Sequence, residues 1–181
     1  LFTYTVAEGA SCTSSDLAVT GIGGTMADAA GGAAADPASG GNVDLGSITV
    51  DCDAPDLVSV AATDGAYGVG EVLTITVTWD EACTKTGTPT LTLSNADTAT
   101  YSSGDGSTAI VFTTTITEGD TDSSDLSVSS YSGTLKDTAG GACGAASGDL
   151  GAVTVDGTVP VLSSVAATDG SYGVGDVLTI T

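Results

Sequence analysis

The sequence predicts an all-β chain of antiparallel β-sandwich modules joined like beads on a string, and three observations predict it. Long segments recur in unchanged order at an interval of about 105 residues. Apolar residues alternate with polar ones, largely threonine, in short runs bounded by clusters of Gly, Asp, Asn and Ser. No stretch sustains a helical period, and Thr and Val, which suit a pleated surface, are spread along the chain.

The recurrence is specific. Residues 57–76 read LVSVAATDGAYGVGEVLTIT and residues 162–181 read LSSVAATDGSYGVGDVLTIT, identical at 17 of 20 positions with an offset of 105. FTYTVAEG at Phe2 returns as FTTTITEG at Phe112, and SSDLAV at Ser14 returns as SSDLSV at Ser123. GTMADAAGG at Gly24 returns as GTLKDTAGG at Gly133, and LGSITVD at Leu45 as LGAVTVD at Leu150. The offset falls from 110 to 109 and then 105 along the chain, so the copies differ by short loop insertions while strand-like segments keep their order. The expected organisation is the rear of one repeat (1–51), a complete repeat (52–156) and the front of another (157–181). A period of this length is too long for a solenoid rung and matches an autonomous sandwich.

Within the complete repeat each strand has its own pattern. From Val72 to Trp79 the residues Leu73, Ile75, Val77 and Trp79 fall on one face and Thr74, Thr76 and Thr78 on the other, which predicts a half-buried strand. The same alternation turns Leu91 and Leu93 inward, then Ile110, Phe112 and Ile116, then Leu126 and Val128, and finally Val153 and Val155. About seven short strands follow, packed as two antiparallel sheets. Trp79 continues the inward face of its strand and is assigned to the core. Tyr67 and Tyr172 hold one place in two copies of a DG-x-Y-GVG turn, where packing at the edge of the core is favoured over ligand stacking.

Charge narrows the function. Lys85 and Lys136 are the only basic residues, against 23 acidic ones, for a net charge of −21, and histidine is absent. Nucleic acid is excluded as a partner, because phosphate recognition rests on Lys and Arg. An anionic membrane surface would be repelled, and no apolar run is long enough to span a bilayer. Neither is there a signal peptide in this segment, so export is expected to be encoded elsewhere. Ser-His-Asp, Cys-His and phosphoryl-clamp arrangements cannot be assembled from these residues. A carboxylate pair is available, but glycoside chemistry also needs an aromatic-lined cleft, and aromatics are 4% of the chain. A non-enzymatic role is expected.

The four cysteines point to disulfides and an oxidising, extracellular or cell-surface location. Cys12 and Cys52 align with Thr121 and Gly157 of the next copy, so both sulfurs are lost together, as a bonded pair would be. Cys143 aligns with Ala34, which leaves Cys83 as its partner inside the complete repeat. The expected bonds are Cys12–Cys52 and Cys83–Cys143, each worth roughly 4 kcal/mol on the chain-entropy model. Free or metal-binding thiols are the competing reading, without any CxxC spacing to support it.

Several segments together resemble a known family: VDCDAP at Val50, TDGAYGVGEVLTITVTWDEA at Thr63, TGTPTLTL at Thr86, ATYSSGDGSTAIVFTTTITEGD at Ala99 and LKDTAGGA at Leu135. They are similar to the bacterial immunoglobulin-like repeats of giant secreted adhesins and other long surface proteins. The resemblance implies an Ig-like β-sandwich acting as a spacer, with no catalytic activity and with calcium frequently rigidifying the junctions between repeats. Usual members lack the cysteines, and an Asn commonly follows the AG of the KDTAG turn where this chain has Gly141.

Acidic residues gather where a junction between repeats is expected. Asp51 and Asp53 lie in the linker, with Asp80, Glu81, Glu118 and Asp137 in loops, and these six are the candidate ligands for calcium. Crowded carboxylates repel one another unless a cation sits among them. Their spacing matches neither an EF-hand nor a nonapeptide calcium motif, and a solvated acidic surface is the competing reading. The expected function is a structural spacer, an adhesin stalk or fibre, whose partners are neighbouring repeats or identical chains. The alternative is a self-assembling filament segment in which neighbouring chains complete split sandwiches by strand complementation.

Overall fold

The computed structural model describes residues 3, 5–7, 18–20, 30 and 43–181. The described residues form strands and turns without a helix, and the pairing is antiparallel with one exception. Two short strands, β1 (Ala18–Val19) and β2 (Val43–Asp44), pair with each other. Eight more follow: β3 (Leu57–Ala62), β4 (Gly65–Gly68), β5 (Val72–Leu93), β6 (Thr98–Ser103), β7 (Ser107–Thr115), β8 (Ser127–Lys136), β9 (Gly148–Asp149) and β10 (Val153–Asp156).

Strand β5 organises the molecule. Its first half lies between β3 and β7, with Ile75 opposite Ala62 on one side and Phe112 on the other. Its second half lies between β6 and β8, with Leu91 opposite Ala99 and Tyr131. The register breaks between Thr78 and Cys83, where the chain passes from one set of partners to the other. The sequence pattern suggested separate strands here. The chain instead runs on as one 22-residue strand, irregular at Gly87 (φ +74°) where the register shifts between Thr86 and Thr90, and Asp80, Glu81 and Ala82 interrupt the apolar alternation without any turn-forming Asn-Gly or Asp-Gly pair.

Both halves feed one apolar core. Leu73, Ile75, Val77 and Trp79 from the first half join Leu91 and Leu93 from the second, with Ile110 and Phe112 of β7, Val128 and Leu135 of β8, and Val153 and Val155 of β10. The threonines between them face outward or lie half-buried, so alternation converts directly into one buried and one wet face. Trp79 is 1% exposed, and its indole N–H donates to the Gly144 carbonyl at 2.9 Å, which satisfies the one polar atom that its burial would otherwise strand.

The exception in pairing is β10, which runs parallel to β4, with Val153 opposite Gly65 and Asp156 opposite Gly68. The purely antiparallel sheets expected from the sequence are corrected here. Parallel neighbours need a long connection between them, and these two strands lie almost a full repeat apart in the chain.

Matching segments of different copies share several local contacts, although residues 162–181 form only an isolated bridge where residues 57–76 form strands. In the first copy Ala18 pairs with Asp44, and in the second the equivalent Ser127 pairs with Asp149. Gly46 and Gly151, with φ of +83° and +84°, donate their N–H groups to the side chains of Asp44 and Asp149. Tyr67 donates its hydroxyl to Thr63 O at 2.9 Å, and Tyr172 to Thr168 O at 2.7 Å. Ala62 faces Ile75, and Ala167 faces Ile180, at the same offset. In residues 161–180, however, Val161, Leu162, Val165, Val177 and Ile180 are exposed, whereas Leu73 and Ile75 of the complete repeat are wholly buried.

Candidate metal centre

The centre begins with a tight turn after β8. The Asp137 N–H donates to Gly141 O at 3.0 Å and the Cys143 N–H to Leu135 O at 3.1 Å, so the chain doubles back on itself. Aspartate suits such a turn because its short carboxylate reaches backbone donors two to four residues on. Here Asp137 Oδ1 accepts from the N–H groups of Ala139, Gly140 and Gly141 at 2.7, 2.6 and 2.9 Å. Gly140 takes a φ of +103°, which favours glycine, and a Cβ on Gly141 would collide with Asp137 Oδ2 and have to displace it.

This geometry leaves Asp137 divided. One oxygen is saturated by three backbone donors. The other, Oδ2, is buried and has no hydrogen-bond partner among the described residues, in a residue only 9% exposed. A buried carboxylate oxygen without a donor is costly unless a cation or ordered water meets it.

Two further carboxylates converge on Asp137. Glu81 is carried by β5 and is half-buried, and Asp51 immediately precedes the buried Cys52. One oxygen from each of Asp51, Glu81 and Asp137 lies within 4.8 Å of the others. Removal from water raises the Glu81 carboxyl above the ordinary glutamate value, and the charges of Asp51, Asp80, Asp137 and Asp53 raise it further. Asp51 also lines a cleft formed with Val6, Ala7, the rest of residues 49–56, residues 139–142 and Gly144.

Of the six acidic candidates, the structure therefore brings together Asp51, Glu81 and Asp137. Asp53 and Asp80 surround them without joining the group: Asp80 Oδ1 accepts the Asp56 N–H at 2.8 Å, which pins the linker to β5. Glu118 sits in the exposed turn closed by Asp120, whose side chain takes the N–H and hydroxyl of Thr117, and it is not part of the group. Three carboxylates make a hard, all-oxygen donor set, which suits calcium once carbonyls or water complete six to eight ligands. Lys85 is engaged elsewhere: it sits over the Tyr101 ring, 4.7 Å from its centroid, and hydrogen-bonds Gly87 O.

Covalent bonding surrounds the centre. Cys83 and Cys143 are joined, with Cα atoms 6.5 Å apart, and both are buried. Cys52 is also disulfide-bonded, while Cys12, its expected partner, lies outside the described residues. The linker is further held by the Gly144 N–H donating to Pro55 O at 2.8 Å and the Asp80 N–H donating to Asp56 O at 3.1 Å.

The sequence exposed all three converging carboxylates but could not separate them from Asp53, Asp80 and Glu118. The division of labour within Asp137 was missed altogether, although the paired DAAGG and DTAGG segments carried its signal: an aspartate followed by the glycines its turn favours. No protein-family model matches the chain, and no curated protein or solved structure matches it.

Proposed function

We propose that the chain is a non-enzymatic spacer segment of an extracellular tandem-repeat surface protein, built from Ig-like sandwiches and stiffened by calcium where successive repeats meet. The observation that carries this reading is the repeat itself, with corresponding positions in corresponding pairings at Ala18–Asp44 and Ser127–Asp149. Equivalent modules in series transmit length and tension rather than chemistry. The buried disulfide supports an oxidising compartment. Asp51 closes one copy while Glu81 and Asp137 belong to the next, so an ion held by all three would clamp the junction.

Two measurements test the proposal. Thermal unfolding in calcium and in chelator should differ, with the higher midpoint in calcium; coincident curves would remove the ion from the scheme. The intact mass of the native polypeptide after reduction should be many times the 17.3 kDa of this chain, and a native species of that size would favour a discrete filament subunit instead.

A further inference from the structure

We infer that the Cys83–Cys143 bond and the carboxylate centre are coupled: closing the bond raises affinity for a divalent cation, and the bound cation protects the bond from reduction. The inference rests on the cation reading above and adds a redox dependence to it. Its basis is the placement of the cysteines. Cys83 follows Glu81 by two residues along β5, and Cys143 follows Asp137 at the far side of the Asp137 turn. The bond thus joins the two segments that present Glu81 and Asp137. A second observation marks the centre as more than a cluster of acids: Asp137 Oδ2 is buried and without a donor among the described residues.

Reduction would deliver two electrons and two protons from an external dithiol, which leaves as its own disulfide, and would convert the cystine into two thiols. The Asp137 turn would stay closed by its own hydrogen bonds and by the pairing of Thr84 with Lys136. That pairing keeps the stem of the turn beside β5, and loss of the bond would loosen the far side of the turn, at Cys143, relative to Glu81. A cation would then have to gather ligands that the bond had already gathered, so affinity falls without vanishing, by about tenfold for a coupling of ordinary size. Reciprocity requires the bound cation to shift the equilibrium of reduction by the same factor, so the comparison is of the equilibrated extent of reduction at a fixed dithiol ratio.

The test uses the full chain with calcium as probe. Titration calorimetry compares the oxidised protein with Cys83→Ser/Cys143→Ser, which leaves Cys52 untouched. Where that variant does not fold, alkylation and peptide mass spectrometry follow dithiothreitol reduction of Cys83–Cys143 in the unmodified protein, with and without calcium. The expected result is weaker binding in the variant and protection by calcium, with protection absent in Glu81→Gln. Calcium binding with equal affinity in both redox states, or reduction indifferent to bound calcium, overturns the coupling alone. An oxidised protein that binds no calcium overturns the junction-ion reading as well.

Discussion

Asp137 shows how a single side chain can serve both fold and site. Its Oδ1 takes three backbone donors, so Asp137→Ala should lower stability by roughly 2–4 kcal/mol even in chelator, since three N–H groups lose their acceptor together. Urea unfolding checks the value. Glu81 should behave in the opposite sense. Its carboxyl is raised in the folded state, so the protonated form carries the stability, which is complete below the ordinary value of 4.5 and is lost as pH rises through the folded value. In chelator, Glu81→Gln should flatten the fall in melting midpoint above pH 4.5, and a variant whose pH profile is unchanged would contradict this. Ala96 is the one described non-glycine residue with positive φ, at +71°. Ala96→Gly should raise unfolding free energy by about 0.5–1 kcal/mol, because glycine occupies that conformation without the side-chain clash.

At the scale of elements, β5 bears the greatest load, and it was also the most legible and the most misleading part of the sequence. The alternation of Leu73, Ile75, Val77 and Trp79 gave the buried face directly, and all four are buried. Continuity through Asp80, Glu81 and Ala82 was invisible, because a strand that changes partners is set by tertiary pairing rather than by local pattern. The parallel match of β10 with β4 was hidden for the same reason. Within the centre, types and approximate positions could be read, whereas selection among six carboxylates depended on which turn folds over which strand. The disulfide pairing of Cys83 with Cys143 was readable only because the repeat supplied an internal comparison. Trp79→Phe should cost about 1–2 kcal/mol in denaturant unfolding, since the ring remains buried while the bond to Gly144 O is lost. A loss below the error of the measurement would show that the loop holding Gly144 adapts.

Across the whole molecule the governing quantities are charge and repetition. A chain with net charge −21 and two lysines repels itself at low ionic strength, and its repeats repeat the problem. Raising monovalent salt should therefore raise the melting midpoint gradually through screening, while micromolar to millimolar calcium should act at far lower concentration if the centre is occupied. Parallel melts in sodium chloride and calcium chloride separate the two effects; calcium no more effective than sodium at equal ionic strength would leave screening as the whole explanation.

The paired strands Ala18–Asp44 and Ser127–Asp149 keep one register although the chain joining them is four residues longer in the first copy. By loop-closure entropy that difference amounts to only about 0.2 kcal/mol. Such a connection is a port for novelty: peptides of foreign sequence could be grafted or acquired there, with the underlying framework scarcely registering their arrival.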